Sequence, residues 1–231
     1  MSVPTTVPGV IDRLREIDAS LDPGDGVAVF NRMYLTVTER IGAMLDGSDG
    51  SEGPPPFTDA ATMAELDVRF AGLWLHAYDG AAAGHRIPSA WEPLFESRRA
   101  GLLPVQYALA GMNAHIEHDL PIAVVRTCQS RGLEPERLHA DYEAINTVLA
   151  RCEAEIRRGF LDDLGRVVDD RVGPVVHVVS AWSIDKARDL SWVTAETIWA
   201  LRNTSFLLGR FLSALSSTVG MGSRTLLTPT A

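Results

Sequence analysis

Apolar residues recur at intervals of three and four along most of this chain, and that period commits it to amphipathic helices rather than strands. Val10, Leu14, Ile17 and Leu21 mark a first helix over 8–21, with Pro8 suited to its first turn. Phe30, Tyr34, Val37, Ile41 and Met44 mark a second over 27–45, and a third spans 58–78. Ser89-Ala-Trp-Glu92 has the form of a capping box and predicts a short helix. Pro104 opens the next helix, which Pro121 interrupts or ends. Further helices are expected over 135–164, 184–202 and 205–219. Strand-like runs are few; the main exception, residues 175–179, is explained as well by a buried helical turn. The expected fold is all-α, a single-domain bundle of about eight helices. Residues 1–7 and 221–231 are read as flexible tails.

Breaks between these segments are short and obvious. Asp22-Pro-Gly-Asp-Gly26 ends the first helix, and the stretch 47–57 with three prolines is the clearest loop. Residues 79–88, rich in alanine and glycine, form a second loop. A chain of 231 residues, 46% apolar and 22% charged, has enough material for one substantial core.

Composition also removes several function classes. A net charge of −9 with scattered basic residues argues against a nucleic-acid partner, since phosphates need a basic face. No run approaches the roughly 20 apolar residues of a membrane span, and the first residues carry no signal-peptide pattern. Cys128 and Cys152 lie far apart without a Cys-x-x-Cys pattern and read as free thiols in a reducing compartment. A cytoplasmic location is expected, with neither membrane nor nucleic acid as partner.

Which polar residues turn inward follows from a rotation of about 100° per residue. In the third helix Met63, Leu66, Phe70, Leu73, Trp74 and Ala77 define the buried face; Asp67 falls inside its margin and His76 on the opposite flank. Over 135–164, Asp141 falls within the stripe of Tyr142, Ile145 and Leu149. A buried carboxylate costs several kcal/mol unless paired, metal-bound or protonated. Asp67 and Asp141 each therefore require a partner, or, for Asp141, a first helical turn to stabilise.

The densest polar constellation is Asn113-Ala-His115-Ile-Glu-His118-Asp119-Leu-Pro121, set in an otherwise apolar helix. His115, His118 and Asp119 stand at i, i+3 and i+4, so their side chains are neighbours. That spacing suits a carboxylate orienting an imidazole for acid–base work, and equally two or three ligands for a divalent metal. Ala108, Gly111 and Ala114 beside them either admit another helix closely or leave a hollow that both imidazoles overlook. Pro121 cannot donate to the carbonyl of Glu117, which weakens the helix beside the cluster.

Other motifs fail. Asp162-Asp163 and Asp169-Asp170 do not complete a magnesium-binding Asp-Asp-x-x-Asp cluster, and the two Glu-x-x-His motifs that a di-iron bundle needs are not both present. His118-Asp119 matches the doublet of metal-dependent phosphohydrolases, without a convincing upstream histidine. Phosphate loops, Gly-x-Ser-x-Gly elbows and dinucleotide fingerprints are absent. Trp192 and Trp199, with Asp185, Arg188 and Glu196 on their side, read as a subunit contact of a homo-oligomer or a lid contact; an aromatic ligand wall is the alternative.

Three segments, Ala28-Val-Phe-Asn-Arg-Met-Tyr34, Leu109 to Pro121 and Val219-Gly-Met-Gly-Ser-Arg224, make the chain resemble a bacterial family known as domain of unknown function 5995. The resemblance covers nearly the whole length. It implies a helical bacterial protein and supplies no reaction.

Three functional expectations follow. The first is a small-molecule enzyme acting on a largely apolar substrate by cyclisation, isomerisation or hydrolysis. His115 would be its acid or base, Asp119 the orienting group and His118 an accessory. Asn113, Tyr34, Asp67 and Trp74 would bind the substrate. The second is a metal-dependent hydrolase with His115, His118 and Asp119 as ligands and Asp67 or Asp141 completing the shell. The third is a non-catalytic binding or assembly protein.

Overall fold

The structure is a computed structural model and describes residues 3–48, 57–146, 149 and 183–229. Cys152, the acidic doublets, the run 175–179 and the rest of residues 150–182, with them the second half of the helix expected over 135–164, lie outside these residues. The protein is all-α, and no strand occurs among the described residues.

Local signals in the sequence account for most helix ends. Helix α1 (Val7–Ser20) opens on Thr6, whose Oγ1 accepts from the Gly9 amide, and buries Val10, Leu14 and Ile17. Helix α2 (Gly26–Asp46) is capped by Asp25 on the Val27 amide and stops at Gly47, whose φ of 74° suits glycine. Helix α3 (Ala60–Ala82) is capped by Asp59, which takes both the amide and the hydroxyl of Thr62. The short α4 (Glu92–Ser97) follows, but Ser89 does not cap it. The helix begins later than the capping-box pattern implies, with Trp91 at its N-cap and the Trp91 amide turned back onto the Pro88 carbonyl, while the Ala90 amide donates to Ser216 Oγ, far along the chain.

The axis of the bundle is one long interrupted helix. Helix α5 (Pro104–Ala114) is buried at every residue from Val105 to Ala114. A π-helical turn (His115–Asp119) continues it into α6 (Leu120–Arg131). Pro121 therefore interrupts the helix without ending it. Its ring would collide with the carbonyl four residues back, and the backbone widens by one residue ahead of it. The Leu120 amide then bonds the His115 carbonyl, five residues back. Gly132, at φ 63°, closes α6.

Around this axis pack α2, α3 and two C-terminal helices, α8 (Ile184–Leu201) and α9 (Ser205–Leu226). Helix α7 (His139–Ala144) starts after a 3-10 turn at Pro135–Arg137, so the helix expected from residue 135 begins later. Helix α9 runs past Val219 to Leu226, and Gln106 Nε2 donates to the carbonyls of Leu226 and Thr228. Residues 221–228 are thus held by α5 and are not a loose tail. Gly111 lets α2 approach closely: a methyl group there would lie 2.2 Å from Phe30 Cδ2. At this point the small residues of the motif admit a neighbouring ring instead of leaving a hollow.

Candidate functional site

The π-turn gathers the histidines of the motif onto one carboxylate. Asp119 is 1% exposed. His115 Nδ1 lies 3.1 Å from its Oδ2, and His118 Nδ1 lies 2.7 Å from its Oδ1. Trp91 Nε1 donates to Oδ2 from the α4 side at 3.0 Å. Burial pushes the Asp119 pKa up, but the hydrogen bonds from the two imidazoles outweigh it and hold the carboxylate ionised. Burial and the neighbouring His118 lower the His115 pKa, only partly offset by Asp119. A neutral His115 with its proton on Nδ1 satisfies this geometry and leaves Nε2 as a bare lone pair.

His115 is also clamped by rings. Phe70 of α3 stacks on it at 3.6 Å and 8°, while Tyr34 of α2 meets it edge-on at 4.4 Å. Its Nε2 is buried and has no hydrogen-bond partner. The same holds for Tyr34 Oη and Asp67 Oδ2. Protein interiors rarely leave such atoms unpaired.

All three residues border one cavity of about 80 Å³ between α2, α3 and the motif. Its other walls include Met33, Met63, Leu66, Met112, Ile145 and Leu149. Burial raises the Asp67 carboxyl to about 7 and, together with the nearby Asp67 charge, pushes the Tyr34 phenol well up. A neutral imidazole, a phenol and a carboxyl that is protonated below about pH 7 thus face one apolar hollow.

The remaining expected site residues lie elsewhere. Asn113 turns away from the cavity and donates from Nδ2 to the Val219 carbonyl and Ser223 Oγ, fastening α9. Trp74 is wholly buried behind the cavity, in edge contact with Phe30 and near Asn31 Oδ1. His118 does not border the cavity. Asp141 spends both oxygens on the amides of Thr58 and Asp59, at 2.7 and 2.8 Å, and joins a loop to α7. His76 is exposed.

These placements do not assemble the expected metal shell. Both Asp119 oxygens already accept from three donors, Asp141 is committed to backbone, and Asp67 shows no hydrogen bond linking it to the cluster. Among the described residues no three His, Cys, Asp or Glu side chains are disposed to share an ion.

The tryptophan face is largely used within the chain. Trp192 packs on His139 and Tyr142 and bonds Glu196, while Trp199 donates to Glu134 and stacks under Arg202. Sequence reasoning missed Trp91 and Phe70 as neighbours of the motif. Phe70 stood on the predicted inner face of α3 beside Asp67, which was the available signal. Trp91 carried none.

Fold and site together define an all-α protein built on a π-interrupted central helix, with a buried Trp–Asp–His cluster behind an apolar cavity. The chain belongs to a family of unknown function, DUF5995, whose profile matches residues 7–229. No curated protein and no solved structure matches it. No helix among the described residues is long and apolar enough to cross a membrane.

Proposed function

We propose that the protein is an acid–base enzyme that isomerises a small, largely apolar carbonyl compound by moving a proton within this cavity. The observation that carries the reading is that Tyr34, Asp67 and His115, each with a buried polar atom that lacks a partner, line one apolar hollow. His115 Nε2 is the base, since its lone pair has no other use. Asp119 holds the ring in the required tautomer and stabilises the imidazolium that forms. Tyr34 and protonated Asp67 donate to the developing enolate oxygen. A phenol and a carboxylic acid kept neutral by apolar surroundings form such an oxyanion-binding pair. No serine, threonine or cysteine borders the cavity among the described residues, which favours proton transfer over covalent hydrolysis.

The experiment is deuterium exchange from heavy water into the α-carbon of small ketones, alongside double-bond migration in small β,γ-unsaturated ketones, both followed by NMR. The wild type accelerates at least one, and His115→Gln loses a hundred-fold or more of that rate, in keeping with a base worth roughly 10²–10⁴. Equal rates in a folded His115→Gln protein, or binding of the ketones without any exchange, refute the reading. The second outcome makes the cavity a non-catalytic binding site.

A further inference from the structure

We propose that the molecule taken into this cavity carries a carboxylate, which pairs with the guanidinium of Arg188 while its apolar remainder lies along Ile145, Leu149 and Ile184 towards His115. The inference rests on the acid–base reading of the same site and narrows its substrate to short unsaturated or oxo acids.

Arg188 borders the cavity and is 4% exposed. Its Nε donates to Asn146 Oδ1 at 2.6 Å, its Nη2 donates to the Tyr142 carbonyl, and its Cζ sits 3.9 Å over the Tyr142 ring. Among the described residues its acceptors are thus an amide and a carbonyl. Elsewhere Arg13, Arg69 and Arg98 each rest on a carboxylate. A buried cation without a contacting counter-charge is costly, and a ligand anion removes that cost. The electrostatics agree: burial lowers the Arg188 pKa, and Tyr142, Glu143, Asp185 and Asp189 only partly offset it.

The cavity's one carboxyl does not fill this role. Among the described residues the Arg188 guanidinium bonds Asn146 and Tyr142 and lies over the Tyr142 ring, and no hydrogen bond or ion pair joins it to Asp67. Among the described residues, two of the guanidinium's five N–H donors are spent, on Asn146 and Tyr142. The three that remain suit the two oxygens of a carboxylate. Size sets the rest. A cavity of roughly 150 Å³ holds benzene, so about 80 Å³ limits the ligand to a few carbons. Met33, Met63 and Met112 give the wall some adaptability.

Calorimetric titration with propanoate and butanoate, against propanol and butanol, tests the proposal on the full chain. The acids bind the wild type at least ten-fold more tightly than the matching alcohols. Arg188→Gln abolishes that preference and leaves alcohol affinity unchanged, Arg188→Lys retains part of it, and His115→Gln retains it in full. Acids no tighter than alcohols, no binding of either, or an equal loss for both in a folded Arg188→Gln protein overturns the proposal. Should Arg188→Gln not fold, the wild-type comparison and Arg188→Lys decide. None of these readouts uses turnover, so failure here leaves the proton-exchange result to stand or fall separately.

Discussion

Asp67 makes stability depend on pH in a direction fixed by its surroundings. Its carboxyl is held at about 7 in the folded protein, against an ordinary value of 3.8, because burial penalises the charged form. The folded chain therefore keeps a proton that the unfolded chain has already lost. The stability this contributes is fully present below about pH 4 and falls by about 1.4 kcal/mol per pH unit as pH rises towards 7. It is gone above about pH 8. Over that whole window the gap of about three units amounts to about 4 kcal/mol. Asp67→Asn keeps the shape, cannot ionise and lacks this decline. Urea denaturation of both proteins at intervals from about pH 5 to 8 isolates it, because every other titrating group cancels in the difference. Relative to wild type, the variant gains about 3 kcal/mol across that range. Parallel curves, or a variant that loses stability relative to wild type with rising pH, would show that the carboxyl is solvated or paired and would refute the argument.

The same titration shapes the reaction. Turnover in the ketone assay rises with pH as His115 loses its proton, below the usual imidazole range, and falls above about 7 as Asp67 ionises; the falling limb vanishes in Asp67→Asn. Asp119→Ala strands three buried donors, on Trp91, His115 and His118, and costs about 3–5 kcal/mol by urea denaturation; a loss under about 1 kcal/mol contradicts the hydrogen bonding. Gly111→Ala forces the Phe30 ring aside and costs about 1–3 kcal/mol, with a shifted Phe30 in the crystal structure of the variant. Gln106→Ala frees the end of α9, so amides of residues 224–228 exchange faster while those of α5 do not.

Helical periodicity made the fold legible, because each amphipathic stripe reports its own buried face without reference to its neighbours. The stripe of Val10, Leu14 and Ile17 is wholly buried, as its spacing requires. Long-range choices escaped. Ser89 had the local chemistry of a cap, but Ser216, distant in sequence, takes the Ala90 amide. The site was legible in part for the same reason. His115 and Asp119 are i and i+4 neighbours that any helix brings together. His118 does not border the cavity as expected because a π-turn rotates less per residue than an α-helix and sets back the phase, and a wheel drawn with constant rotation cannot show it. Pro121 was the warning, read from the sequence as a break rather than as an insertion. Asp141 is buried, as its place in the stripe of Tyr142, Ile145 and Leu149 requires, and Asn113 is buried too, but inwardness alone does not say whether the partner is a ligand or the chain itself. Arg188 was grouped with the tryptophans because only tertiary packing brings α8 against the cavity.

A cluster such as His115–His118–Asp119 invites a choice between structure and chemistry, and the geometry dissolves that choice by dividing the atoms. Everything on the Asp119 side of the imidazole is structural: three donors saturate one carboxylate and lock α4 to the central helix. The far side is uncommitted: Nε2 has no partner, and His115 lines a hollow with two further residues that carry unpaired atoms. Losing Asp119 must therefore cost stability whatever the protein does, so that measurement says nothing about catalysis. His115→Gln divides the two roles. A glutamine amide still donates to Asp119 while removing the ring nitrogen at the cavity, so a small change in stability with a large loss of proton exchange is the signature of a reacting base. A large loss of stability with no change in exchange would assign the whole cluster to the scaffold.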